Sequence, residues 1–232
     1  MKKELIARLN RVNDRIRMAA ARANRNPARI RLVAVGKNHP VSKIKVFNDH
    51  GVELFGENRV QELRDKQKQL EDEQIKWHFV GHLQRNKVKY LMRMSNCLMI
   101  ESLDSWRLAR EIDKRARRNN RKMPVLVEVN IARDQNKYGI MPEETLDFLK
   151  EVAGLEKIKV RGLMTVVPYA EDPEQTRPYF HQMSDLKDRA NSRGFELEEL
   201  SMGMTNDFEV AIEEGATIVR IGTALFGKRD YE

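Results

Sequence analysis

After a single glycine, the apolar run Val33-Ala34-Val35 ends on a lysine, Lys37. At the mouth of a buried strand such an amine is partly desolvated and close to other cations, and both effects lower its pKa. The neutral amine can then condense with an aldehyde, which is Schiff-base chemistry. A lysine in this place is also a common surface residue, so Lys37 gains meaning only from its company. Arg220 lies inside the otherwise apolar strand Thr217-Ile218-Val219-Arg220-Ile221. A guanidinium there requires a partner, because an unpaired buried charge is costly. Two-residue parity turns Arg220 and Gly222 to the same side, toward an interior anion or ring acceptor. Ser201 and Thr223 offer hydroxyls, and Gly222 lets the backbone approach a ligand closely, a set that suits a phosphate. The plain alternative for Gly222-Thr223 is a turn.

Bringing positions 37 and 201–223 together requires a frame. β-Branched segments predict strands near 30–35, 53–55, 76–80, 97–100, 125–131, 159–165, 197–201 and 217–221. Helical spacing predicts a first helix over 3–23, with Leu5, Leu9, Val12 and Ile16 on one stripe. Further helices are predicted over 41–49, 59–69, 86–94, 105–118, 143–153, 173–191 and 207–213. Pro142-Glu143-Glu144 suits a first helical turn and Gly154 a helix stop. Eight strands, each but the last followed by a clear helix, imply a parallel sheet joined by crossovers. Eight such units in 232 residues match the size of a (β/α)8 barrel. The expected fold class is therefore α/β: one TIM-type (β/α)8 barrel with an extra N-terminal helix, spanning 1–232 as a single domain. A doubly wound open sheet is the rival. Val35-Gly36-Lys37-Asn38-His39-Pro40 carries neither its G-x-G-x-x-G fingerprint nor a P-loop.

In such a barrel the chemistry gathers where strands end at their C-termini. The predicted ends carry Lys37, Asn58, His78 with Gly81-His82, Glu101-Ser102, Ser201 and the 220–223 group. Polar residues and glycines thus crowd one rim. Other chemistries find no support. His78 and His82 do not form H-E-x-x-H, and G-x-S-x-G is absent. The single cysteine, Cys97, excludes an internal disulfide and reads as buried and inert. No apolar run approaches the ~18 residues of a membrane span, and the charged start lacks a signal-peptide core. A cytoplasmic setting is expected.

Lys and Arg number 43 against 35 Asp and Glu, a net charge of +8. Between 107 and 122 eight basic residues face two acids. Trp106, Ala109, Ile112 and Ala116 fall at helical spacing there, so the basic residues form the outer face of a packed helix. A nucleic-acid contact through 107–122 is the alternative, although no RNA- or DNA-binding motif accompanies the charge.

Taken together, several blocks resemble the pyridoxal phosphate homeostasis proteins (YggS/PROSC type). They are Val33-Ala34-Val35-Gly36-Lys37, Phe55-Gly56-Glu57-Asn58-Arg59-Val60-Gln61-Glu62, Trp77-His78-Phe79-Val80-Gly81-His82-Leu83-Gln84-Arg85-Asn86-Lys87 and Arg161-Gly162-Leu163-Met164-Thr165. The blocks 200–208, centred on Ser201-Met202-Gly203, and 219–227, centred on Arg220-Ile221-Gly222-Thr223, complete the set. The blocks run in order along nearly the whole chain.

The resemblance implies a barrel like the N-terminal domain of alanine racemase, of fold type III, binding pyridoxal 5′-phosphate as a lysine aldimine. Lys37 would be the aldimine lysine. Ser201, Gly222 and Thr223 would hold the phosphate, and Arg220 would face the pyridine nitrogen. Asn58 would line the ring, with Met164 packed beside it. One departure stands out: the family commonly reads Ser-Lys-Thr-Lys here, whereas this chain reads Gly36-Lys37-Asn38-His39. An always-protonated arginine at the ring nitrogen disfavours ring protonation and weakens the cofactor as an electron sink. A carrier without catalytic turnover is therefore expected. It is expected to be monomeric, to pass the cofactor to apo enzymes that need it, and to engage neither membrane nor nucleic acid. A low-level amino-acid racemase or lyase is the enzymatic alternative. Lys137 is a second amine in the loop after strand 5, read as a solvated side chain.

Overall fold

Short strands rich in valine, isoleucine and leucine alternate with helices, and their hydrogen bonds roll them into a closed parallel barrel in chain order, β1 to β8. The computed structural model describes residues 1–71 and 73–227; residue 72 and the last five, included in the expected 1–232 unit, lie outside the described residues. The strands are β1 Arg31–Val35, β2 Leu54–Glu57, β3 Lys76–Phe79, β4 Cys97–Leu103, β5 Met123–Glu128, β6 Ile158–Met164, β7 Glu199–Ser201 and β8 Ile218–Ile221. The helices are α1 Lys2–Arg22, α2 Val41–Asn48, α3 Val60–Gln69, α4 Val88–Met92, α5 Trp106–Arg118, α6 Thr145–Ala153, α7 Arg177–Asn191, α8 Phe208–Glu213 and α9 Thr223–Phe226. The TIM-type barrel expected from the alternation is borne out, including the extra helix α1.

Strand parity divides the core in two. Val33, Val35, Met99, Leu126, Met164 and Ile218 meet inside the barrel. The alternate residues, such as Ala34, Phe55, Trp77, Phe79, Ile100 and Leu200, pack outward against the helices. Parity also fixes where polar side chains go. His78, Glu101, Ser201 and Arg220 share the inward phase of Met99 and Ile218, and all four are buried. Glu57 shares the outward phase of Phe55 and is fully buried beneath α3.

Closure is made by β1 and β8, whose register pairs Val33 with Arg220 and Ala34 with Ile221. Helix α1 covers this side, packing against α2, α8 and α9 with Leu5, Leu9, Val12 and Ile16 buried. Arg15 to Glu209 (2.8 Å) and Arg22 to Glu213 (2.7 Å) tie it to α8.

The structure corrects several boundaries. Strand β4 runs on to Leu103: Glu101 finds His78 inside the barrel and the Ser102 hydroxyl donates to the Gly81 carbonyl, so neither polar residue need end it. Pro142–Glu144 form a turn before α6, and the predicted 86–94 and 173–191 helices begin as 3-10 turns. The eighth strand also has its helix, the four-residue α9. On α5 the buried stripe is Leu108, Ala109, Ile112 and Ala116, while Trp106 at the helix start is 37% exposed. Asp113 also lies on that stripe. Burial pushes its carboxyl up, but bonds from Arg117 and the Lys157 amide win and hold it below its ordinary value. Among the described residues no helix is long and apolar enough to cross a membrane.

Candidate functional site

The turn that follows β1 carries Lys37, half-buried, between the buried Gly36 and an exposed Asn38. Asn38 has a left-handed backbone, φ +60°. Asparagine tolerates that conformation because its short polar side chain bonds locally, whereas a β-branched residue there is strained. The His39 ring then stacks on Phe226 of α9, centroids 5.0 Å apart, so this turn is fastened to the end of the eighth unit.

Arg220 has the partners that a buried guanidinium demands. Its Nη1 donates to Ser201 Oγ at 2.6 Å and its Nη2 to the Thr165 carbonyl at 2.7 Å. The Ser201 hydroxyl in turn donates to Glu101 Oε2 at 2.6 Å, and the other Glu101 oxygen meets His78 Nδ1 at 2.5 Å. Arg220 Nη1 lies 3.8 Å from Glu101. Burial alone would raise the Glu101 carboxyl. The bonds from His78 and Ser201 and the pull of His78 and Arg220 outweigh it, so its pKa falls below the ordinary value. Desolvation draws Arg220 down, against the attraction of Glu101, Glu128 and Asp207. The result is a closed polar floor across the barrel, built by β3, β4, β7 and β8.

Above this floor the ends of β7 and β8 meet β1. A Cβ at Gly222 would stand 3.3 Å from the Val35 carbonyl, so the glycine lets β8 leave the sheet flush against the strand that leads to Lys37. Thr223 follows, exposed, and the Ala224 amide donates to Thr205 Oγ1 at 3.2 Å. After β7, Gly203 adopts φ +91°, and a side chain there would strike Phe208 and Ala211. Its carbonyl accepts the Arg220 amide at 3.0 Å. The neighbouring Asp207 accepts the Met204 amide at 2.6 Å, and burial raises its carboxyl pKa. Asn58 packs directly against Gly81, at the ends of β2 and β3. Every nominated residue therefore stands at the C-terminal end of its strand. Arg220 and Ser201 touch one another; Lys37, Gly222 and Thr223 share the β1–β8 seam; Asn58 follows β2, the neighbour of β1 on its other side. The Ser201 hydroxyl is engaged by Arg220 and Glu101, so contact with a further ligand requires it to leave one of them. Lys137, nominated as solvated, is half-buried, with its amine 3.5 Å from the Val166 carbonyl.

Glu128, at the end of β5, is a further member. Burial, with the nearby Asp104 charge, raises its pKa from 4.5 to about 7 against the pull of Arg220. The folded protein thus holds a proton that the unfolded chain releases above about pH 4.5, so this residue costs stability as pH rises toward 7. Glu128→Gln is expected to stabilise the protein by about 1–2 kcal/mol at pH 8, after allowance for partial exposure, with the gain shrinking toward pH 4. Urea unfolding of both proteins at pH 8, 6 and 4 measures it, and a pH-independent difference would refute the assignment.

Residues 7–230 match the family described as the alanine racemase N-terminal domain. A pyridoxal phosphate homeostasis protein of Aquifex aeolicus is 48% identical over 225 residues, covering 97% of this chain and 98% of that protein. The protein of the same name from Homo sapiens is 36% identical over 236 residues, covering 96% and 86%. The chain belongs to the pyridoxal phosphate homeostasis protein family. The solved structure of PipY from Synechococcus elongatus PCC7942 with PLP bound superposes at a TM-score of 0.80 and 33% identity, over 93% of this chain and 100% of that one. Alanine racemase of Clostridium difficile 630 shares the fold alone, at 17% identity and a TM-score of 0.71, over 94% of this chain and 57% of that one.

Membership of the pyridoxal phosphate homeostasis family bears out the resemblance read from the motif blocks. Three residues of the site carried weaker signals in the sequence. Glu101 follows Met99-Ile100 in an apolar strand, and that placement is the mark of a carboxylate with an interior partner. Glu128 alternates with Leu126 in the same way. Lys66 falls on the buried stripe of α3 with Val60 and Leu63, where an apolar residue belongs. Cys97 is buried as expected, and burial pushes its thiol up to about 12.

Proposed function

We propose that this chain binds pyridoxal 5′-phosphate through Lys37 and serves to hold and hand on that cofactor, without a turnover of its own. The observation that carries the reading is the β1–β8 seam. It sets a half-buried lysine at the end of one strand beside Gly222 and Thr223 at the end of the next, over a floor containing a buried arginine. The donor set fits the group: an amine for an aldehyde, glycine-flanked backbone and a hydroxyl for a phosphate, a guanidinium for a ring nitrogen. Bound pyridoxal phosphate supplies an aldehyde that a neutral lysine amine captures with loss of water. Thr223, Gly222 and Ser201 would hold the phosphate, Asn58 would flank the ring, and Arg220 would donate to the ring nitrogen. A guanidinium donating there leaves the ring nitrogen unprotonated and the cofactor a poor electron sink, which favours storage over catalysis. Apo enzymes that depend on the cofactor are the natural recipients, and a monomer working in the cytoplasm completes the reading.

The test is reduction of the protein with borohydride in the presence of pyridoxal phosphate, followed by peptide mass mapping. A phosphopyridoxyl mass concentrated on the peptide that contains Lys37 is the expected result. A label absent, or scattered over surface lysines, would overturn the assignment.

A further inference from the structure

The outward phase of β2 places a carboxylate where the barrel should present an apolar side chain to α3. Glu57 is fully buried there, and α3 answers it with Lys66, also buried. The Lys66 ammonium donates to Glu57 Oε1 at 2.5 Å, to Glu62 Oε1 at 2.8 Å and to the Gly36 carbonyl at 2.7 Å. Glu62 Oε1 also accepts the Asn38 amide at 2.5 Å. One ammonium and one carboxylate therefore grip the backbone immediately before and immediately after Lys37, with the Glu57 carboxylate behind the ammonium. The second oxygen of Glu57 is buried without a hydrogen-bond partner among the described residues. Burial raises the Glu57 carboxyl to about 7, more than the pull of Lys66 lowers it.

Stability is a poor reason for this cluster. A buried ion pair roughly breaks even with well-packed apolar residues of the same volume. What apolar residues cannot supply is a donor for the Gly36 carbonyl and an acceptor for the Asn38 amide, in a turn whose Asn38 backbone is left-handed. We infer that Lys66, Glu57 and Glu62 are positioning residues: they fix the 36–38 turn and thereby set the orientation and reactivity of the Lys37 amine. The inference rests on Lys37 being the attachment point proposed above. Lys66 makes the grip and joins its two sides. Glu57 anchors Lys66 from the barrel wall. Glu62, one-fifth exposed, ties in the Asn38 amide.

Glu62→Ala is the decisive variant, because it leaves the Lys66–Glu57 pair intact. Three readouts are compared in the apo and loaded protein. Amide exchange at Asn38 is expected to quicken roughly tenfold, the scale of one lost charge-assisted hydrogen bond. The pH midpoint of Lys37 acetylation in the apo protein is expected to move while those of other lysines stay fixed. Release of pyridoxal phosphate to a competing free amine is expected to speed up several-fold. The melting temperature should stay within about 4 °C of wild type. Glu62→Gln, which keeps an acceptor oxygen, should restore slow exchange. Lys66→Met is expected to act in the same direction and more strongly; if it does not fold, Glu62→Ala decides alone. Wild-type exchange and wild-type Lys37 labelling in Glu62→Ala would overturn the inference. Failure of the wild-type protein to trap the cofactor at Lys37 would instead overturn the functional reading, while the apo exchange and labelling data would still report whether the turn is held.

Discussion

Lys37→Ala is expected to lose the borohydride-stable label on its peptide completely while keeping the fold. The argument for complete loss is chemical. Lys37 is the amine that the end of β1 delivers to the seam with β8, and truncation at Cβ leaves nothing there to condense with an aldehyde. The argument for an intact fold is positional. Lys37 lies in a turn outside the strand, belongs to neither core cluster, and its backbone neighbours are held by other side chains. A change in melting temperature of no more than about 4 °C is therefore expected. Loose binding of the cofactor's phosphate should survive, visible as protection by pyridoxal phosphate in thermal shift but lacking a covalent absorption band. Peptide mapping and near-ultraviolet absorbance measure both. A label that persists at another lysine in the variant would show that attachment lies elsewhere.

Arg220→Met should have the opposite profile, with a large loss of stability. The methionine fills much of the same volume, so the principal change is electrostatic. Glu101 would keep His78 and Ser201 but lose the guanidinium, and the Thr165 carbonyl would lose its donor. Breaking a buried pair on one side typically costs about 3–5 kcal/mol. Removing the charge on both sides should recover part of that loss. The double variant Arg220→Met with Glu101→Gln is expected to be more stable than Arg220→Met alone, with a coupling energy of at least about 1 kcal/mol. Urea unfolding at pH 7 of the four proteins closes the cycle. A single-variant cost below about 1 kcal/mol would mean that the floor is not a coupled unit.

How much of this was legible in the sequence follows from the range of each signal. Alternating strand and helix patterns are local, and they were enough to predict the barrel. Lys37, Arg220 and Gly222 were also found locally, since each breaks the pattern of an apolar strand or ends it. The floor was not legible in full. Ser201 and Glu101 are 100 residues apart, and only closure of the barrel makes them partners. Glu57 stands beside the nominated Asn58 at the end of a predicted strand, where sequence alone does not tell which way it faces. Parity turns it outward, and its partner Lys66 lies on a different element. Trp106 shows the converse error: helical spacing identified the stripe of α5 but could not tell that its first member lies beyond the packed turn.

The seam between β1 and β8 joins the first strand of the barrel to its last. Lys37 leaves the ribosome well before Arg220, Gly222 and Thr223. Until β8 docks, β1 is the open edge of a sheet, and Lys37 has neither the buried floor nor Gly222 and Thr223 beside it. On the reading proposed above, cofactor capture waits for β8 to dock: a nascent chain that has not yet closed the barrel would carry the Lys37 amine without the residues proposed to retain what it traps.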